Sequence, residues 1–259
     1  MTETFRPASL RGLMLGAGAP KIIVPIVGAS LDAVRTTVGG LARDDYDLVE
    51  LRVDHFDDVE HHTEVLELLE TLREELPDDV PVLFTFRSKP EGGARDIDAR
   101  DYESLLRLAI HSGLVDAVDV EMFTELGSLE RLVNGAHEAG VAVIMSSHDF
   151  ERTPPVAQIV ARLTLQQDLG ADVVKVAVMP NSPGDVLTLL QATAEFTSTR
   201  AVRPAITMSM GPLGVVSRLA GETFGSCATF GSAGTASAPG QVDAHELRGV
   251  LQLVHAAQG

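Results

Sequence analysis

Three lysines stand among the twenty basic residues of this chain: Lys21, Lys89 and Lys175. Lys175 lies in VVKVAVMP, between Val174 and Val176. A strand interior offers an ammonium little water. A buried, unpaired charge is relieved by losing its proton, which leaves an amine able to attack a ketone or aldehyde. The alternative is a structural lysine paired with Glu50 or Glu121. His148, in MSSHDF, closes an apolar run, where it could move protons beside such a lysine. Glu91, in RSKPEGG, has two glycines after it and could orient His148 and raise its basicity, although alone it reads equally as an exposed loop residue. Arg52, Arg87 and Arg218 would supply permanently charged forks for a carboxylate or vicinal hydroxyls, so an anionic substrate is expected. His55, His61 and His62 fall in an acidic stretch where exposure is expected. The adjacency of the last two does not match metal-ligand spacing on a helix face, so no metal is inferred.

Elements that could position these groups recur along the chain. Eight β-rich runs are legible: 21–27 (KIIVPIV), 47–53 (DLVELRV), 81–87 (PVLFTFR), 115–121 (VDAVDVE), 141–147 (VAVIMSS), 172–178 (DVVKVAV), 204–210 (PAITMSM) and 225–230 (GSCATF). Helical spacing fills 59–76, 99–112, 156–169, 183–196, 215–222 and 243–255, and Gly113, Gly140 and Gly170 stand where helices should end. Strand and helix alternating eight times predicts a single (β/α)8 TIM barrel spanning 21–259, of the size such barrels need. Residues 1–20 do not fit the repeat and are expected to cover the bottom of the barrel. No GxGxxG follows the first run, so a dinucleotide-binding open sheet has no local support. In a barrel the reacting groups come from the C-terminal strand ends. Those ends carry Glu50, Arg52, Thr85, Arg87, Asp119, Glu121, His148, Lys175 and Ser209, several with inward parity. Residues 231–241 (GSAGTASAPGQ) read as a mobile loop over the site.

Composition excludes other classes. Apolar residues make up 45% of the chain against 4% aromatics, which suits strands buried on both faces. A net charge of -17 argues against nucleic acid as a partner, because phosphates need a basic face. No apolar run is long enough to predict a membrane span and no signal segment is legible. The lone Cys227, expected in a small buried strand position, cannot form an intrachain disulfide, which with the rest places the protein in the cytoplasm. The acidic surplus suits a salt-rich, halophilic interior, an acidic surface in an ordinary cytoplasm being the alternative.

Five ordered segments then carry a family resemblance: ELRVDHF (50–56), TFRSKPEGG (85–93), SSHDF (146–150), KVAVMP (175–180), and ITMSMG through SRLAGETFGSCATFG to ASAPGQ (206–241). From about residue 21 to the C-terminus the chain resembles the type I 3-dehydroquinate dehydratases. The resemblance implies a cofactor-independent hydro-lyase of aromatic amino-acid biosynthesis, acting on 3-dehydroquinate and assembled as a homodimer. It implies that Lys175 forms an imine with the substrate ketone, that His148 removes and returns protons, and that Glu91 pairs with His148. It further implies that Arg218, Ser237 and Gln241 hold the substrate carboxylate and close over it. Glu50, Arg52 and Arg87 would contact hydroxyls and carboxylate, and Met208 and Phe150 would line the site. Two departures are Pro25, where the family carries serine, and 211–215 (GPLGV), which lacks a lysine. Two other readings use the same residues: a different lysine-dependent aldolase or lyase, which needs no carboxylate clamp, and a silent barrel serving as a binding module.

Overall fold

The computed structural model describes residues 4–233 and 239–258. A short antiparallel hairpin, β1 (Ala8–Leu10) and β2 (Leu13–Leu15), precedes the barrel strands β3 (Lys21–Ile26), β4 (Leu48–Arg52), β5 (Val82–Thr85), β6 (Ala117–Glu121), β7 (Ala142–Asp149), β8 (Val173–Val178), β9 (Ala205–Ser209) and β10 (Ala228–Ser232). These eight pair in parallel in chain order, and β10 returns to β3. The ring closes between β9 and β10, where Cys227 N donates to Ala205 O at 2.8 Å and Thr207 N donates to Ser226 Oγ at 3.1 Å. The expected (β/α)8 barrel is therefore the observed one. Around it run α1 (Leu31–Gly39), α2 (His62–Glu75), α3 (Ala99–His111), α4 (Leu126–Glu138), α5 (Val156–Asp168), α6 (Pro183–Thr199), α7 (Val215–Leu219) and α8 (Ala244–Gln258). The helical spacing of 215–222 resolves into the short α7 followed by a 3-10 turn, Gly221–Phe224. Gly113, Gly140 and Gly170 follow α3, α4 and α5 with φ of 73°, 72° and 95°, the left-handed exit that stops a helix.

Aspartates begin alternate strands for a shared reason. Asp47, Asp116 and Asp172 each stand one residue before β4, β6 and β8, and their carboxylates accept from the N–H groups of Ile22, Val82 and Val143 at 2.7, 2.8 and 2.9 Å. Each caps the open end of the strand before it and holds an arginine as well: Arg248, Arg73 and Arg203 respectively.

The strand period of two sorts the barrel interior into tiers. The lowest holds Ile23, Leu48, Leu83, Ala117, Ile144, Val173, Ile206 and Ala228, and the hairpin's Ala8, Leu10 and Leu15 pack in the same apolar cluster. Two residues further along each strand come Pro25, Glu50, Thr85, Asp119, Ser146, Lys175, Met208 and Phe230. The apolar floor is what keeps water from reaching this polar tier from below. Pro25 has a structural consequence. Lys21 N donates to Cys227 O at 3.0 Å, so odd-numbered residues of β3 turn their N–H toward β10, and proline has none to offer. Pairing of β3 with β10 ends at Ile23↔Phe230, and the end of β10 pairs instead with β11 (Val242–Asp243). Cys227 is half-buried just before β10 rather than buried within it.

Candidate active site

Lys175 sits in the second tier with its side chain 3% exposed. Its Nζ lies 2.9 Å from Asp119 Oδ2, 3.4 Å from Glu50 Oε1 and 4.6 Å from the Phe230 ring centroid. The buried charge is thus compensated by pairing, which differs from the unpaired amine expected from its valine neighbours. Of the two carboxylates expected as partners, Glu50 is present and Glu121 is not. Glu121 binds Arg87 Nη1 at 2.8 Å and accepts from the Ser88 N–H and O–H at 2.9 and 2.6 Å. Asp119, the nearer partner, also meets Arg87 Nη2 at 2.7 Å and accepts from Ser146 Oγ at 2.6 Å. Burial alone would raise the Asp119 carboxyl, but Arg87 and Lys175 outweigh it and hold the group well below the usual carboxylate range.

His148 lies inside β7, one residue before its end, two positions above Ser146. Its Nδ1 is 2.9 Å from Glu91 Oε2, and its backbone N–H donates to the same oxygen at 3.1 Å. Burial first, then the charges of Arg87 and Lys175, push the imidazole well below its ordinary value, so it is neutral near pH 7. Burial likewise pushes the Glu91 carboxyl up to about 8, against the pull of Arg87. One proton shared between Nδ1 and Oε2 satisfies both groups and leaves Nε2 as the ring nitrogen available to a ligand. The RSKPEGG spacing explains how Glu91 arrives there. Lys89–Glu91 forms a 3-10 turn, and Gly92 follows it at φ 85°, where a Cβ would lie 2.2 Å from the Phe150 ring. A Cβ at Gly93 would lie 1.7 Å from the Arg87 carbonyl oxygen. Both glycines are needed for the loop to fold back and set Glu91 against His148.

The three arginines differ in kind. Arg52 is bound bidentately by Asp54 at 2.8 Å through both Nε and Nη2, and Arg87 is surrounded by Asp119, Glu121 and Glu91. Arg218, on α7, is 1% exposed and meets no carboxylate among the described residues. Its Nη2 donates to Pro239 O at 3.3 Å, its Nη1 lies 3.6 Å from Met208 Sδ, and its Nε has no partner. Burial lowers it to about 10. His55 is half-buried, with Nε2 3.6 Å from Asp54, rather than solvent-exposed as expected.

A cavity at the C-terminal mouth of the barrel brings Glu50, Arg52, Arg87, Glu91, His148, Phe150, Lys175, Met208, Arg218 and Gln241 to one surface. Ser237 lies outside the described residues. Phe230, Met210, Ala177 and Pro239 were not singled out from the sequence, and Gly92, legible there only for the freedom of its backbone, completes the lining. Asp119 was visible as a polar strand end but carried no role. Its signal was parity, two residues on from Ala117 in the tier of Lys175. Ser146 shares that parity but carries no charge to mark it, and Asp54 gave no such signal.

A buried lysine beside a histidine–carboxylate pair and a lone buried arginine, at the top of a β/α barrel, defines a site of the lysine-dependent, carbonyl-attacking class. Comparison with known proteins narrows this. The model of the Type I 3-dehydroquinase family matches residues 22–258, and the chain belongs to that family. It is 48% identical over 253 residues, 98% of this chain and all of the relative, to the 3-dehydroquinate dehydratase of Salmonella agona (strain SL483). Among solved structures it is similar to the type I 3-dehydroquinate dehydratase of Clostridium difficile with covalently modified comenic acid (45% identity, TM-score 0.94, 98% of this chain and 99% of that one). It is similar also to 3-dehydroquinate dehydratase from Geobacillus kaustophilus HTA426 (34% identity, TM-score 0.94, the whole of both chains).

Proposed function

We propose that this chain dehydrates 3-dehydroquinate to 3-dehydroshikimate through an imine on Lys175. The observation that carries the reading is Arg218, a buried cation lacking a carboxylate partner among the described residues, in the cavity shared by Lys175 and His148. A lysine-dependent aldolase acting on an uncharged carbonyl compound would have no need of it. An anion seated there restores the missing charge, and the substrate carboxylate is such an anion.

The amine of Lys175 gives up its proton and attacks the C3 ketone, and loss of water leaves a protonated imine. Asp119 and Glu50, which neutralise the ammonium in the free protein, neutralise this cation equally well. The imine acidifies C2, and His148 Nε2 takes a proton from it to give an enamine. Glu91 holds the ring at Nδ1 and stabilises the imidazolium that results. The enamine expels the C1 hydroxyl, which His148 protonates, and water hydrolyses the conjugated imine to free Lys175 and product. Proton transfer of this kind contributes about a hundred- to ten-thousand-fold. The remaining lining residues, Glu50, Arg52, Arg87, Met208 and Phe150, shape the hydroxyl and apolar contacts. Ser237 and Gln241, in the 231–241 segment, close over the carboxylate.

The chain works as a homodimer in the cytoplasm, and its acidic surface is suited to high salt. Exposed Leu187 on α6, Leu213 on the 3-10 turn Pro212–Gly214, Val216 on α7 and Leu253 on α8, elements that adjoin in that order, support an interface there. No helix among the described residues is long and apolar enough to cross a membrane.

Appearance of the conjugated product by ultraviolet absorbance tests the activity. Borohydride during turnover tests the route: it should inactivate the protein and leave an adduct on Lys175. His148→Ala should still give that adduct without turnover. Inactivation with no adduct, an adduct on Lys21 or Lys89, or full turnover by His148→Ala would defeat the scheme.

A further inference from the structure

Gln166 is a fully buried polar residue that does not line the cavity of Lys175 and His148 and touches no reacting group. It lies on the last turns of α5, outside the barrel, yet its amide reaches through to the strand that carries the nucleophile. Lys175 N donates to Gln166 Oε1 at 2.9 Å, and Gln166 Nε2 donates back to Lys175 O at 3.0 Å. Nε2 also lies 3.5 Å from Met122 Sδ, so both ends of the amide are occupied. A buried amide is costly unless it is satisfied, and here satisfaction comes chiefly from the main chain of one residue, Lys175.

We infer that Gln166 is a positioning residue for the imine-forming step, pinning the Lys175 backbone so that Nζ is delivered between Asp119 and Glu50. The geometry on the inner face makes such pinning useful. Nζ stands at the end of four methylenes, 2.9 Å from one carboxylate, 3.4 Å from another and 4.6 Å from the Phe230 ring centre. A small tilt of the strand at Lys175 is amplified along that chain. Gln166 fixes both the N–H and the C=O of the residue, and so its rotation as well as its height.

The inference rests on Lys175 being the imine former, and the experiment separates the two. Gln166→Met keeps the length and volume of the side chain and removes the amide. Rapid mixing of substrate with borohydride, followed by intact mass, reads the rate of imine formation in a single turnover. Displacement of about 1 Å at a reacting group costs up to about a hundredfold, so the Met variant should trap roughly ten- to a hundredfold more slowly, with kcat falling and KM little changed. Thr193→Val is the control. Thr193 is an equally buried helix-to-strand contact, its Oγ1 2.8 Å from that of Thr207, and its loss should lower Tm without slowing trapping. If the Met variant does not fold, Gln166→Glu serves above the pH at which its buried carboxyl ionises: there it keeps the acceptor for the Lys175 N–H, loses the donor to the carbonyl, and should trap at least about fivefold more slowly. Trapping within twofold of wild type in the folded variant, or slowing matched by Thr193→Val, overturns the role of Gln166. A wild-type adduct on another lysine overturns the reading beneath it instead.

Discussion

Replacing Arg218 by methionine should make the ligand-free protein more stable and its substrate more weakly bound. Burial lowers the guanidinium from its ordinary value to about 10. At about 1.4 kcal/mol per tenfold change, carrying the charge costs the fold on the order of 3 kcal/mol. The folded value lies below the unfolded one, so the cost is present in full below about 10 and is relieved only above it; at neutral pH it applies undiminished. Methionine also gives up the donation to Pro239 O, about 1 kcal/mol, and leaves a net gain of roughly 1 to 2 kcal/mol. Charge-assisted hydrogen bonds to a carboxylate contribute about 1.5 to 3 kcal/mol, so KM should rise roughly ten- to 150-fold. Urea unfolding with and without product, alongside steady-state kinetics, reads both effects. A variant less stable than wild type without ligand, or one with KM within twofold, would refute the assignment of Arg218 as an uncompensated cation awaiting an anion.

The Glu91–His148 pair should make stability fall between about pH 6.5 and 8. Glu91, raised to about 8, loses stabilisation as pH climbs toward that value, while the depressed His148 adds stabilisation only up to its unfolded value near 6.5; Glu91→Gln should remove the decline, and an unchanged slope in urea midpoints would count against the shared proton. With a net charge of -17, the thermal midpoint should climb toward molar potassium chloride, where the screening length shrinks from about 10 Å at 0.1 M to about 3 Å; a midpoint flat above 0.1 M leaves the acidic surface as a solubility feature.

The barrel was legible because its evidence is local and repeated. Each β-rich run predicts a strand from its own residues, and eight in alternation with helices admit few other arrangements. Lys175 and His148 were legible by type, each expensive or unusual where it stands, whereas Glu91 by itself read equally as an exposed loop residue; all three line the cavity. Partnership was less legible, because it depends on the stagger between strands. Glu50 and Glu121 were the expected partners of Lys175, yet the tier places Asp119 beside it and turns Glu121 to Arg87 and Ser88. Parity gives each side chain's face, but which residues of two strands share a height follows from register, which is a property of the closed ring. The three arginines looked alike for the same reason. Only three-dimensional packing shows that Asp54 already occupies Arg52, and that Arg87 is enclosed by three carboxylates. Gln166 gave no signal, since a glutamine near a helix end reads as surface.

Charge is distributed unevenly around the cavity, and this orients what enters it. Glu50, Asp119, Glu121 and Glu91 belong to β4, β6 and the loop after β5, where Lys175 and Arg87 balance much of their charge. Arg218 follows β9, on the side where the described lining offers Met208, Met210 and Phe230 instead of acids. A substrate carboxylate turned toward β4–β6 would face Glu50 and Glu91 in the lining, with Asp119 and Glu121 behind them; turned the other way it meets Arg218, the one lining cation without a counter-charge among the described residues. On the proposed reading, repulsion and attraction select a single orientation, with the carboxylate on Arg218, the C3 ketone toward Lys175 and C2 toward His148. Because selection by repulsion needs the carboxylates and selection by attraction needs Arg218, neither group has to touch the reacting bond to decide which carbon the lysine meets.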